Sequence, residues 1–243
     1  MYPGSIPGDA SRTGLGQTGS GMNYLQAREK MVDNQVRPCD VTSHALIEAM
    51  LSVPREEFFP ESDRALAYLD RDYPLSSLVE GRDDRFMLNP AMLAKMIQLC
   101  DVREDDVVLL IGAGSGYSAG LFSLLASSVV AVEEDGELAA YASSHLESLG
   151  YDNVAVLDGK FADGCKREAP YNVVFIEGSV DEVPQAWIDQ LAEGGRLVVC
   201  KGTGNSALVH EYKKRGDVVG NVSHFNCSAP VLPGFNSEPE FAL

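Results

Sequence analysis

The stretch that decides the predicted fold is Val107-Val108-Leu109-Leu110-Ile111-Gly112-Ala113-Gly114-Ser115-Gly116-Tyr117. In it, an apolar run leads directly into alternating glycines. A short apolar run bounded by glycine is typical of a strand buried on both faces. Glycine adopts backbone conformations that other residues avoid, and it lets a ligand approach the main chain. The stretch therefore predicts a buried strand, a ligand-facing turn and a helix opening near Gly116. A tight turn without a ligand is the alternative that the stretch alone leaves open.

The sequence that follows alternates β-branched runs with helical stretches. Strands are predicted at Val107–Ile111, Val129–Glu133, Val154–Leu157, Asn172–Glu177 and Arg196–Lys201, then at Ala207–Tyr212 and Val218–Phe225. Helices are predicted between the first five strands, at 117–126, 136–149 and 183–192. This order is typical of a seven-stranded, mostly parallel α/β sheet with helices on both faces and an antiparallel finish.

The chain before the sheet divides into two parts. Residues 1–22 are rich in glycine, serine, threonine and proline, and are predicted to form a flexible arm. Residues 23–100 form a helical, substrate-side region, with helices from Asn23, from Thr42 and over 90–100, where Pro90 suits a first helical turn. Residues 101–243 are predicted to form the α/β domain, which we expect to bind the ligand at the glycine turn.

Composition narrows the class of protein. The 243 residues are 45% hydrophobic and 23% charged, as expected of a globular chain. The formal net charge of −17 disfavours a nucleic-acid partner, which needs clustered lysine and arginine. No apolar run reaches the roughly 20 residues that span a bilayer. Because no secretory signal opens the sequence either, we expect no membrane partner and a cytoplasmic location. The oligomeric state is left open.

The spacing of the cysteines and histidines matches no disulfide framework or metal-binding motif. The five cysteines include no C-x-x-C pair, and the four histidines lie far apart in the chain. The sequence therefore predicts neither a disulfide framework nor a metal site.

Acidic residues end the two strands that follow the glycine turn. Glu133 closes its strand about 20 residues after the first glycine, where a carboxylate can accept the hydroxyls of a ribose. Glu134 is its immediate competitor. Asp158, followed by Gly159, closes the next strand, where it can meet the exocyclic amine of an adenine. Helix capping is the alternative role for each carboxylate.

The third glycine of a dinucleotide fingerprint is missing, because Tyr117 stands in its place. S-adenosylmethionine is thereby favoured over NAD, since its methionine part needs no anion cradle. The chain also lacks the Gly-x-x-x-x-Gly-Lys-Ser/Thr signature of a P-loop. The predicted cofactor-binding residues are Ile111, Gly112, Ala113, Gly114, Ser115, Gly116, Glu133, Glu134, Asp158 and Gly159.

Ordered motifs along most of the chain resemble those of the protein-L-isoaspartate O-methyltransferase family. They are Met31–Arg37, Val53–Pro60, Ala67-Tyr68, Ile111–Tyr117, Ala169–Asn172, Val183–Gln185 and Leu191–Val198. The resemblance implies a class I methyltransferase fold, S-adenosyl-L-methionine as cofactor, and methyl transfer to the free carboxylate of an isoaspartyl residue in a damaged protein or peptide.

The chain departs from the family pattern beside the expected substrate. Leu88 stands where the family has a serine, Ala91 where it has a larger ring, and Leu110 where it commonly has a glutamate. The Gly-Gln-Thr-like lead-in is replaced by residues 82–86. The substrate-side candidates are Leu88, Asn89, Pro90 and Glu177, and no catalytic residue is assigned.

Three hypotheses follow from these matches and departures. The first is a carboxyl O-methyltransferase of the isoaspartyl-repair type. The second is a catalytically inactive protein that binds S-adenosylmethionine, or acts in regulation, on the same fold. The third is a methyltransferase with a different, small-molecule acceptor.

Overall fold

The computed structural model describes residues 22–81 and 84–235. The flexible arm predicted for residues 1–22 lies outside the described residues, apart from Met22.

A seven-stranded sheet forms the centre of the fold. Its strands are β3 (Val107–Ile111), β4 (Ser128–Glu133), β5 (Val154–Asp158), β6 (Tyr171–Val180), β7 (Leu191–Lys201), β8 (Leu208–Arg215) and β9 (Val218–Asn226). They lie in the order β5-β4-β3-β6-β7-β8-β9. The pairs from β5 to β7 are parallel, whereas β8 and β9 are antiparallel to their neighbours. The predicted mostly parallel sheet with an antiparallel finish is confirmed.

In the described residues, three α-helices precede the seven-stranded sheet and three connect its strands. The helices are α1 (Tyr24–Met31), α2 (His44–Ser52), α3 (Pro90–Leu99), α4 (Tyr117–Ser123), α5 (Gly136–Ser148) and α6 (Gln185–Asp189). The helix predicted at 183–192 is too long, because β7 already begins at Leu191, which pairs with Tyr171. Gly194 lies within this strand at a φ of +74°, so the residues between the predicted helix and the predicted strand belong to an irregular part of β7.

Side chains of the central strands alternate between two cores. Val108 and Leu110 face a large core that also contains Met31, Met50 and Ile97 from the N-terminal helices. Leu109 and Ile111 face the second core, where fully buried Trp187 packs and donates from Nε1 to the carbonyl of Phe161 at 2.7 Å. The N-terminal region thus completes one face of the sheet.

A two-stranded hairpin lies between α2 and α3. Its strands are β1 (Tyr73–Pro74) and β2 (Phe86–Met87). The amide of Leu75 donates to the carbonyl of Arg85 at 2.8 Å, which ties the two arms together. This hairpin brings the segment before α3 against the glycine turn.

Candidate active site

The glycine turn has the backbone conformation that its sequence demands. Gly112, Gly114 and Gly116 have φ angles of +84°, +54° and +94°, which favour glycine over residues with a Cβ. The amides of Gly112 and Ala113 both donate to the carbonyl of Val132, at 2.9 and 3.3 Å. A Cβ on Gly112 would lie 3.1 Å from the carbonyl oxygen of Glu177. The main chain at this turn is therefore held closely against its neighbours.

The two strand-end carboxylates lie side by side, since Glu133 and Asp158 are register partners in β4 and β5. Glu133 is completely buried, and its Oε2 accepts from the amide of Gly114 at 2.8 Å. Its Oε1 accepts from the amides of Glu134 and Asp135 at 3.1 and 3.3 Å. Glu134 and Asp158 are exposed. Of the two competing glutamates, Glu133 is the one that contacts the turn.

Two cavities flank these carboxylates. One of about 240 Å³ is lined by Gly81, Asp84, Arg85, Glu133, Glu134, Asp135, Phe161 and Pro233. The other, of about 350 Å³, is lined by Val132, Leu157, Asp158, Gly159, Gly164, Cys165, Lys166 and Arg167. These volumes are of the order found for parts of small-molecule sites. Glu133 thus borders the first cavity and Asp158 the second.

Arg85 is a site residue that the sequence analysis missed. Its Nη2 lies 2.5 Å from Oε2 of Glu133, and the two side chains are 4% and 0% exposed. The guanidinium carbon stands 5.0 Å from the ring centre of Phe161. In the sequence, Arg85 belongs to a segment noted only for departing from the family pattern. Nothing in the spacing indicates that it meets Glu133, since the hairpin makes this contact.

Side chains also cover the glycine turn. A Cβ built on Gly114 would lie 2.9 Å from Cδ1 of Leu75, and one on Gly112 would lie 3.3 Å from Cδ2 of Leu232 and 3.6 Å from Nη2 of Arg85. Carboxylates such as those of Glu133 and Asp158 are the acceptors that the ribose hydroxyls and the adenine amine of S-adenosylmethionine require. Binding at the turn itself requires the covering side chains to move.

Glu177 lies at an irregularity in β6. The register between β6 and β7 shifts between Phe175 and Ser179, and such bulges re-aim side chains near functional sites. The carboxylate of Glu177 accepts from the hydroxyl of Ser118 and from the amide of Leu88, the latter at 3.5 Å. Burial raises the pKa of Glu177 to about 7, although both hydrogen bonds and the cations of Arg55 and Arg85 act to lower it.

The other three substrate-side candidates form hydrogen bonds near the start of α3 or pack in the core. Leu88 is 1% exposed, and its carbonyl accepts from Nη2 of Arg55 at 2.8 Å. Asn89 caps α3 by accepting from the amide of Met92 at 2.9 Å, and its Nδ2 donates to Asp72 at 3.0 Å. Pro90 is the first residue of α3 and is buried. Glu177 alone of the four brings an ionisable group to this side of the site.

Residues 22–81 and 84–235 contain neither a clustered set of metal ligands nor a membrane-spanning helix. No group of three or more histidine, cysteine or acidic side chains is placed there to hold a metal ion. No helix in that part of the chain is long and apolar enough to cross a membrane. The five cysteines are free thiols.

The sheet order and the glycine turn with its strand-end carboxylates define a class I methyltransferase. Residues 26–228 match the family described as Protein-L-isoaspartate(D-aspartate) O-methyltransferase. The chain is 34% identical over 188 residues to the protein-L-isoaspartate O-methyltransferase of Koribacter versatilis, covering 77% of this chain and 82% of that protein. It is 34% identical over 218 residues to that of Methanoculleus marisnigri, with coverage of 88% and 94%.

Solved structures agree with these matches. A protein-L-isoaspartate O-methyltransferase structure has a TM-score of 0.76 and 28% identity, over 85% of this chain and 66% of that one. A putative family member from Plasmodium falciparum, solved in complex with S-adenosyl-L-homocysteine, shares the fold with a TM-score of 0.70 at 17% identity, over 87% of this chain and 99% of that one.

The chain belongs to the protein-L-isoaspartate(D-aspartate) O-methyltransferase family. Membership confirms the resemblance, the class I fold, carboxyl O-methyltransferase activity and S-adenosyl-L-methionine as the cofactor expected from the sequence. The residue assignments within the site stay predictions.

Proposed function

We propose that this chain methylates the free carboxylate of isoaspartyl residues in damaged proteins or peptides, with S-adenosyl-L-methionine as the methyl donor. The observation that carries the proposal is the family match over residues 26–228, which includes the glycine turn and both strand-end carboxylates. A cytoplasmic location, expected from the sequence, is part of the proposal.

The cofactor, when bound, supplies a methyl group already activated on a sulfonium. Glu133 would accept the ribose hydroxyls, Asp158 would accept the adenine amine, and the backbone of Gly112–Gly116 would hold the methionine part. These groups lie at the carboxyl ends of neighbouring parallel strands, the edge at which open α/β sheets bind ligands.

The acceptor carboxylate needs no strong general base, because it is ionised at neutral pH. The protein's contribution is to align the carboxylate with the methyl group and to exclude water. The serine of the family motif is replaced by buried Leu88, so its hydroxyl is absent from this side. Glu177 and Ser118 instead form a buried hydrogen-bonded pair there.

Transfer of radiolabelled methyl groups to an isoaspartyl peptide tests the proposal, with the same peptide carrying ordinary aspartate as the control. Turnover of the isoaspartyl peptide alone is the expected result. Calorimetric titration with S-adenosylhomocysteine runs in parallel. Tight cofactor binding without turnover of either peptide would contradict the proposed acceptor, and would favour a binding role or a different acceptor.

A further inference from the structure

Arg85 and a bound ribose require the same carboxylate. Oε2 of Glu133 already accepts from Nη2 of Arg85 at 2.5 Å and from the amide of Gly114 at 2.8 Å. Glu133 has no exposed surface, and its Oε1 accepts from the amides of Glu134 and Asp135, so a ribose hydroxyl must compete with donors already present. Cofactor binding through Glu133 must therefore separate the guanidinium from it.

Arg85 faces two parts of the site. Arg85 lines the cavity beside Glu133 and also a small pocket of about 10 Å³ bounded by Leu88, Glu177 and Leu232. That pocket is on the side where the family resemblance places the acceptor. Arg85 thus lies between the cofactor side and the acceptor side of the site.

Arg85 also has unused hydrogen-bonding capacity. Its side chain is only 4% exposed, and its Nε has no hydrogen-bond partner among the described residues. A buried donor without an acceptor is unfavourable, and a bidentate carboxylate is the partner that best matches the planar guanidinium fork. The acceptor of the proposed reaction is itself a carboxylate.

We propose that Arg85 is a specificity-determining residue that exchanges partners: it pairs with Glu133 in the absence of cofactor, and it binds the acceptor carboxylate once the ribose has taken Glu133. This inference rests on the proposed function for its acceptor half. The exchange makes binding ordered, because the acceptor's counter-ion is released only when the cofactor is in place. It also favours acceptors that carry a carboxylate, because only these pair with the freed guanidinium.

The exchange predicts opposite changes in the two ligand affinities when Arg85 is neutralised. In Arg85→Gln, S-adenosylhomocysteine should bind at least tenfold more tightly, about 1.4 kcal/mol, because no arginine competes for Glu133. The KM for an isoaspartyl peptide should rise at least tenfold, because the acceptor loses its counter-ion. Arg85→Lys, which keeps the charge without the fork, should fall between Arg85→Gln and the wild type in both measurements.

The matched control is Arg64→Gln. Arg64 forms an ion pair of similar length with Glu57, at 2.6 Å, and lines none of the cavities described above. Both ligand affinities should be unchanged in this variant. A purely structural role for Arg85 would weaken cofactor and acceptor binding together, so it would not produce the opposite changes.

A measurement on the wild type needs no variant. Calorimetry should show that the isoaspartyl peptide binds at least tenfold more tightly to the S-adenosylhomocysteine complex than to the free protein. Equal peptide affinity in both forms, or cofactor affinity in Arg85→Gln no tighter than in the wild type, would overturn the exchange. Failure of the wild type to methylate the isoaspartyl peptide, with tighter cofactor binding in Arg85→Gln, would instead refute the proposed acceptor and keep the competition for Glu133.

Discussion

Glu133 and Asp158 are register partners at the carboxyl ends of two neighbouring parallel strands, one carboxylate fully buried and the other exposed. Their placement results from the parallel register, which aligns the ends of β4 and β5 at one edge of the sheet. The two carboxylates therefore lie at the same edge of the sheet, although they differ in exposure.

Alanine substitution of either carboxylate is expected to weaken S-adenosylhomocysteine binding. Each change removes hydrogen bonds to a charged group, worth roughly 1.5–3 kcal/mol, or about tenfold to a hundredfold in affinity. Calorimetric titration of Glu133→Ala and Asp158→Ala measures the loss. Glu134→Ala is the comparison, because Glu134 lines the same cavity as Glu133 but is exposed. A larger loss in Glu134→Ala than in Glu133→Ala would reverse the ribose assignment.

The Glu177 carboxyl is expected to make stability depend on pH. Its pKa is raised to about 7 by burial, against about 4.3 for an unfolded glutamate. The folded protein therefore holds the proton on Glu177 more tightly than the unfolded chain does. As a result, the contribution of Glu177 to the free energy of unfolding falls as the pH rises from about 4.3 to about 7. When the pH is raised from about 5 to about 8, the free energy of unfolding of Glu177→Gln should therefore rise by up to about 3 kcal/mol relative to that of the wild type.

Urea unfolding at both pH values checks this shift. Glu182→Gln is the control, since Glu182 is exposed and follows the same strand. Its replacement should change the free energy of unfolding by less than about 0.5 kcal/mol, because the side chain is exposed. A pH-independent difference for Glu177→Gln would show that its carboxyl has no raised pKa.

The glycine turn is expected to tolerate no side chain at Gly112. Alanine there must adopt a φ of +84° and place its Cβ 3.1 Å from a main-chain oxygen that cannot easily move. Gly216→Ala is the matched control, because Gly216 also has a positive φ of +58° but open space around its Cβ position. The left-handed conformation alone costs about 1–2 kcal/mol, and crowding should add at least about 1 kcal/mol in Gly112→Ala. Thermal unfolding measures the difference between the variants, and equal stabilities would contradict the crowding.

The sheet and the glycine turn could be predicted from the sequence, because both depend on the properties of residues that are close together in the chain. The run Val107–Ile111 is apolar on both faces, and its strand bounds are those predicted. The strand containing Glu177 extends to Val180, three residues beyond its predicted end, because an irregular register carries the pairing past Gly178. The contact of Arg85 with Glu133 spans 48 positions and depends on how the hairpin folds over the turn. Such a long-range contact has no periodic or compositional signal.

Leu88 is expected to act as a core residue, so restoring the family's serine should destabilise the protein. Its side chain is 1% exposed and packs in the core shared by the N-terminal helices and the sheet. Leu88→Ser leaves a cavity and buries a hydroxyl, which should lower the free energy of unfolding by about 3 kcal/mol. Leu69→Ser is the control, because Leu69 is 43% exposed and its replacement should change stability by less than about 0.5 kcal/mol. Denaturant unfolding of both variants measures the costs, and equal values would mean that Leu88 is not held in the core.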